Sequence, residues 1–424
     1  VELIAEVGLR GTAAGNMVWD VSHWDTGSWS SLEPLWHPLP GSEVESLATA
    51  RGRNTGNQRN SAGTASVGLV WRDARGGKWS FREGTPVKVG SELRIRAVVD
   101  GGSPIPLYRG TVRRVRDGWA KGTFRLGAEL VDRLADLGSV DLPEAAAAVG
   151  LGDLTHARVQ RILTMAGINA AYAAMGTGFD DSGVVQHQSS TFARNLLDEA
   201  MVSTESEAGA DLLVDRDGRF AFRRATWWKQ AAGHAANPRW NATRATWGNT
   251  ETPGPYSFTV LEPGGFGTGS DLDDIRNQVS AARTGGTAIT VSAPDSQLKY
   301  GLRTFQRFDL TCRYDADVTT FANLYISELA ERTARVDAIA AELDPTMSSA
   351  DLERFMDLEL GDRHEVRWDD GDGIMDGVFH VQGIRWRADP GHLRLEMDLW
   401  AYSGLGLVPE VVWGSAVWGT GTWQ

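Results

Sequence analysis

Two stretches decide how this sequence reads. LYRGTVRRVRDG (107–118) and FHVQGIRWRADPG (379–391) share one alternation of apolar and basic residues, and both end in an Asp/Gly turn. Side by side, Gly110 faces Gly383, Val112 faces Ile384 or its neighbour, Arg114 faces Arg385 or Arg387, and Asp117 faces Asp389. The likeness runs upstream. VGSELRIRAVVDGG (89–102) and LGDRHEVRWDDGDG (360–373) each hold a Gly, an alternating Arg-bearing strand and an Asp/Gly turn. It runs downstream too, where TFRLGAEL and LRLEMDLW each supply one more alternating strand. A period of two is the mark of a half-buried strand, and an internal repeat means that one chain holds two copies of one β-module. Three such chains in a ring present six similar modules, because head-to-tail interfaces that complete a rotation close into rings.

Outward from the repeat, the sequence divides as follows. Residues 1–44 are a Trp-rich N-terminal segment. The first β-module spans 45–138: Ala65, Val67, Leu69 and Trp71 share one strand face, and Leu93, Ile95, Ala97 and Val99 point inward while Arg94 and Arg96 point outward. GAELVDRLADL (127–137) reads as a short closing helix. Residues 139–228 form a small α/β module. There, 155–168 spaces Val159, Ile162, Leu163 and Ala166 at helical intervals, and 189–207 opens on Ser and Thr suited to a cap, with Phe192, Leu196, Leu197 and Ala200 as its apolar stripe. Asp217-Gly218 then joins two strands as a type I′ hairpin. Residues 229–256 have no period and read as a connector. The second β-module, 257–408, includes the longest helix, 316–343, with Phe321, Tyr325, Leu329, Val336, Ile339 and Leu343 on its apolar side and Pro345 ending it. Residues 409–424 are a Trp-rich C-terminal tail. The expected class is β-rich α+β and multidomain: two tube-like antiparallel β-barrel or sandwich modules, a small α/β module between them, and a long helix.

Composition agrees with a β-rich globular chain. Of 424 residues, 42% are hydrophobic and 23% charged, with 49 Gly for turns and 17 Trp for contact surfaces. No apolar run is long enough to span a bilayer, and no basic-then-apolar leader is seen, so no secretion signal is expected. The single cysteine, Cys312, alternates with apolar neighbours and reads as core; it excludes an internal disulfide or a Cys-based zinc site. The net charge of −13 argues against a grip on phosphate backbones by counterion release.

The blocks RGRNTGNQRNSAGTASVGLVWRDARGGKWS, VGSELRIRAVVDGGSPIPLYRGTVRRVRDG and GTFRLGAELVDRLADL, followed by RVQRILTMAGI, FARNLLDEAMVSTESEAGADLLVDRDGRFAFRR, DLDDIRNQVSAARTGG and APDSQLKYGLR, resemble in this order the tail hub (minor tail or baseplate hub) proteins of long-tailed bacteriophages, especially those of actinobacteria. The resemblance covers residues 45 to 405 and rests on order and spacing. It implies a homotrimeric ring at the tail tip of the virion, assembled in the host cytoplasm. The ring would sit below the distal tail ring protein, touch the tape-measure protein and other minor tail proteins or receptor-binding fibres, and pass DNA without binding it tightly. Acidic walls suit such passage. The same part serves gene transfer agents and injection systems. No long C-terminal extension with a peptidase or glycan-binding domain is present, which speaks against a lytic role.

No catalytic constellation and no cofactor motif is read. Glu205, Glu207 and Asp211 are close in sequence but sit at a polar helix end; GGFGTGS (264–270) lacks a strand–turn–helix frame. Asp369, Asp370, Asp372 and Asp376 have oxygen ligands for Ca²⁺ as an alternative, but the repeat puts a hairpin turn there, and no Glu stands at the twelfth position of an EF-hand loop. Arg51, Arg53 and Arg59 make a basic loop, either solvated or an arm that meets an acidic neighbouring subunit. Trp19, Trp24 and Trp29 repeat at the five-residue spacing of Trp413, Trp418 and Trp423. Indoles bury large areas, so these ladders are expected to dock: on their own chain, on a neighbouring tail subunit, or on host sugars. The last reading makes a carbohydrate-binding adhesin the alternative function.

Overall fold

A computed structural model describes residues 1–9, 35–39, 42–53, 60–71, 87–120, 123–141, 147–165, 185–192, 195–223, 245–248, 257–259, 266–269, 272–331, 335–342, 347–369, 374–389, 392–400, 412–413 and 416–417. Trp19, Trp24, Trp29, Arg59, Asp370, Asp372, Trp418 and Trp423 lie outside these residues.

The first seven strands are β1 (Glu2–Leu9), β2 (Leu35–Pro38), β3 (Glu43–Gly52), β4 (Ser61–Trp71), β5 (Glu92–Val98), β6 (Ile105–Ala120) and β7 (Thr123–Val131). Helices α1 (Arg133–Leu137), α2 (Thr155–Met165) and α3 (Leu196–Glu205) precede the hairpin β8 (Asp211–Val214) and β9 (Phe220–Arg223). Next come β10 (Ala245–Gly248), β11 (Ser257–Thr259), β12 (Phe266–Gly269), β13 (Gln278–Arg283), β14 (Ile289–Ser292), α4 (Pro294–Tyr300), β15 (Thr304–Leu310) and α5 (Asp315–Leu329). The chain continues through β16 (Arg335–Glu342), α6 (Ser349–Met356), β17 (Arg363–Asp369), β18 (Ile374–Asp389), β19 (His392–Trp400), β20 (Val412–Trp413) and β21 (Ala416–Val417). The fold is β-rich α+β and multidomain, as the sequence implies.

The repeat is visible in the backbone. β5, β6 and β7 are 7, 16 and 9 residues long, and β17, β18 and β19 are again 7, 16 and 9. Ala120 pairs with Thr123 as Asp389 pairs with His392. Counted back from these hairpin ends, both long strands slip register at the same place, at Arg113 and at Gln382. Such a slip is a β-bulge, with one extra residue on one strand. The order β3-β4-β7-β6-β5 recurs as β12-β16-β19-β18-β17. Buried Phe124, Leu126 and Ala128 take the places of buried Leu393, Leu395 and Met397. In this frame Gly383 matches Arg114, and Gly110 matches Phe379, so the sequence match of Gly110 with Gly383 is four residues out. A slip of four leaves every side chain on its original face, so alternation alone cannot detect it.

One core cluster runs through both modules, from Val67, Leu69 and Leu126 to Ile384, Trp386 and Leu395, with Phe355 and Met356 of α6 packed into it. β1, drawn from segment 1–44, lies along β5, and β3 lies along the outer half of β18, so the modules share one sheet. The α/β unit has its own core of Val159, Ile162, Leu163, Phe192, Leu196, Phe220 and Phe222. A third core joins α5 to the sheet β14-β13-β15 and includes Cys312, whose thiol burial pushes up to about 12.

Several local expectations change. The helix expected over 316–343 ends at Leu329, and Arg335–Glu342 is β16. Its Ala-rich sequence favours helix, yet Val336, Ile339 and Ala341 are buried opposite Leu399, Met397 and Leu395 of β19. Filling the gap between β12 and β19 overrides propensity. The strand β7 takes 127–131, which leaves only 133–137 for the closing helix, with Asp132 accepting from Leu134 N as its cap. The helix expected from 189 starts at Leu196, capped by Asn195; Phe192, at φ 52, lies before it. The hairpin turn is Asp215–Gly218 rather than a two-residue type I′: Gly218 N donates to Asp215 O at 3.0 Å, and the Asp215 carboxylate accepts from Asp217 N and Arg219 N. The expected connector contains β10, parallel to β17, where fully buried Trp247 donates to His364 Nδ1 at 3.1 Å.

Candidate functional site: the seam between the modules

β18 changes partner halfway. Its first half pairs with β17, and Gly383–Ala388 pair with Gly52–Leu47 of β3. The change falls at the Gln382 bulge. There Arg53 N donates to Gln382 O at 2.9 Å, and Arg53 Nε donates to Gln382 Oε1 at 2.8 Å. Gly52 has φ +88, and a Cβ on it would stand 2.1 Å from Gln382 O, so only glycine lets the two backbones meet here.

Charge locks the seam. Arg51, on β3, is buried and donates to Glu359 Oε1 at 2.7 Å. The other carboxylate oxygen accepts from Arg216 N at 3.2 Å, and Arg216 also grips Asp357. Burial alone would raise the Glu359 carboxyl; Arg51 and Arg216 override it and hold it down at about 2. Asp211 accepts from Asn60 at 2.5 Å and lies 3.6 Å from Arg53. Thus β3, the segment before β17 and the β8–β9 hairpin meet in one buried network. Arg51 makes its contact with Glu359 through Nη1 alone, while its Nε and Nη2 are buried without a hydrogen-bond partner among the described residues, so loss of Glu359 would strand a buried charge at high cost. Asp215, in the hairpin turn, is pushed up to about 6 by burial.

The sequence candidates separate. Arg51 and Arg53 have partners inside the chain. Asp369 ends β17 opposite Ile374, and Asp376 sits in β18 opposite Arg367. Trp413 lies in β20, whose backbone pairs with Met375 of β18. Glu205, Glu207 and Asp211 go to different partners: Glu205 to Arg307, Glu207 to Thr155, and Asp211 to Asn60. Thr155 also touches His187 Nε2 at 3.1 Å, and burial lowers that imidazole to about 3. Among the described residues no group of acids, His or Cys is arranged to hold a metal ion. Sequence reading missed Glu359, Gln382, Arg216 and Asp357. The chain offers no spacing that relates Glu359 to Arg51; both segments meet because β3 pairs with β18 and Gly361 and Asp362 hydrogen-bond to Val381 of the same strand.

On the face away from the core, β7 and its neighbours carry acid–base pairs. Arg125 meets Glu45 at 3.0 Å, Arg114 meets Glu129 at 3.4 Å, and in the second module Arg394 meets Glu396 at 3.3 Å. No described helix is long and apolar enough to cross a membrane.

No protein-family model matches the chain, and no curated protein matches it in sequence. Solved structures do. The tail protein from Neisseria meningitidis MC58 aligns over 95% of this chain and 97% of its own, with a TM-score of 0.56 at 12% identity. The 43 kDa tail protein of prophage MuSo2 from Shewanella oneidensis aligns over 94% of this chain and 97% of its own, with a TM-score of 0.54 at 9% identity. Nearly end to end, this chain has the fold of those two tail proteins.

Proposed function

We propose that the chain is a structural hub of a bacteriophage tail, without catalysis. Three copies form a pseudo-hexameric ring that closes the distal end of the tail tube in the virion and lines the path of the ejected DNA. The distal tail ring protein, the tape-measure protein and other minor tail proteins or fibres are its neighbours. One observation carries this reading: two modules with the same strand order, strand lengths and bulge are joined edge to edge in one sheet. Three chains so built present six like modules around one axis. The fold shared with two tail proteins agrees with it. The acid–base pairs on the solvent face agree with passage of DNA, since locally neutralised charge gives duplex phosphates little to hold.

The test is electron microscopy of an intact particle with this chain located. Three copies at the tube end, their β-modules alternating around the channel, are expected. A chain found on fibres, or absent from particles, would sink the reading. A Trp ladder bound to a glycan would favour the adhesin instead.

A further inference from the structure

The repeat leaves two strand edges unmatched. In the second module the outer half of β18 is covered by β3, and Ile384 and Trp386 are 0% and 1% exposed. The equivalent half of β6, from Arg114 to Trp119, has β7 on one edge and, among the described residues, no strand on the other. Arg114, Arg116, Asp117 and Gly118 are exposed, so solvent reaches both faces. An added Cβ on Gly118 would meet nothing within 4 Å. The complementary gap is at β12. Its equivalent, β3, pairs with β4 and β18, whereas β12 pairs among the described residues with β16 alone. Open strand edges are templates for another chain.

We infer that β12 of a second copy of this chain adds antiparallel to the outer edge of β6, repeating between chains the β3–β18 seam found within one. This rests on the ring reading and names its contact. The register follows from the repeat. Phe266 opposes Ile339 as Leu47 opposes Val67, and Gly269 opposes Arg335 as Ala50 opposes Thr64. Transferring the pairs Arg385–Ala50, Trp386–Thr49, Arg387–Ala48 and Ala388–Leu47 gives Arg116–Gly269, Asp117–Thr268, Gly118–Gly267 and Trp119–Phe266. The residues suit the transfer. Gly267 and Gly269 replace Ala48 and Ala50, small for small, and Thr268 replaces Thr49, whose Oγ1 accepts from Trp386 N at 3.2 Å. The two edges are different surfaces, so copies add head to tail, which permits ring closure.

Mixing two full-length chains tests this: Gly118→Cys, and Gly267→Cys with a size tag, under mild oxidation. The native Cys312 is buried. Register partners in antiparallel strands stand within disulfide reach, so a mixed, tagged–untagged disulfide dimer is expected on a non-reducing gel. It should be absent when Gly90→Cys replaces Gly118→Cys. Arg116→Cys with Gly269→Cys is a second pair, should either glycine variant fold poorly. Sedimentation of the unmodified chain is run beside it. Oligomers without a mixed dimer from either pair would overturn the edge assignment and leave the ring reading intact. A chain that stays monomeric at every concentration, with no mixed dimer, would overturn both.

Discussion

Arg51 Nη1 donates to Glu359 Oε1 at 2.7 Å across 308 residues of chain, with both side chains buried. Removing either partner strands a charge inside the protein. Arg51→Ala and Glu359→Ala should each lower unfolding free energy by about 3–5 kcal/mol. The double variant should lose clearly less than the sum, because the second removal relieves the stranded charge. Urea titration of the four proteins measures this, and additive losses would contradict the pairing.

Acid should loosen the same seam. The Glu359 carboxyl falls from 4.5 to about 2 on folding, so its contribution is fully present above 4.5 and is lost as pH falls through about 2. That shift corresponds to about 3 kcal/mol. Stability measured from pH 5 to pH 2 should decline less steeply in Glu359→Gln than in the native chain. Equal slopes would show that Glu359 does not set the acid limit.

Gly52→Ala should damage the seam, since its backbone is left-handed and the new methyl would meet Gln382 O. Hydrogen exchange over 383–388 should accelerate while exchange in β13–β15 stays unchanged. Gly118→Ala, with open space around it, should shift monomer stability by less than about 0.5 kcal/mol.

The solvent-face ion pairs should govern contact with DNA. Glu45→Gln and Glu129→Gln free Arg125 and Arg114 from their partners. The doubly substituted chain should retain duplex DNA in a gel-shift assay at low salt, and the retention should vanish as salt rises. Tight binding by the native protein would argue against passage of DNA along this face.

The C-terminal tail carries the remaining expectation. Truncation after Val408 removes β20, with Trp413, from its pairing with Met375 and Asp376. The modules should stay folded by circular dichroism, while assembly or incorporation into tails weakens. Unchanged assembly would show that the tail is dispensable.

Much of the fold was legible because strands announce themselves by alternation. Phe124, Leu126, Ala128 and Leu130 alternate with exposed or half-exposed residues, and they form the buried face of β7. The repeat was legible for the same reason, yet its register was not, because Arg113 and Gln382 are ordinary residues whose bulges leave no compositional mark. Arg335–Glu342 was misread because a strand buried among Ala and Val looks helical until its neighbours are known. The seam was illegible in principle. Glu359 and Arg51 acquire meaning only from a meeting of distant segments, and a basic loop in sequence became a buried anchor in space.

The partner change along β18 also has a mechanical meaning. Hoop stress on an assembled ring would have to shear six backbone pairs and a buried ion network to part the two modules of one chain. The proposed joint between chains, with four residues of β12 to offer, would have less to resist with. A ring under load would therefore split along three of its six joints, widening by subunits while each chain kept its own pair of modules clasped.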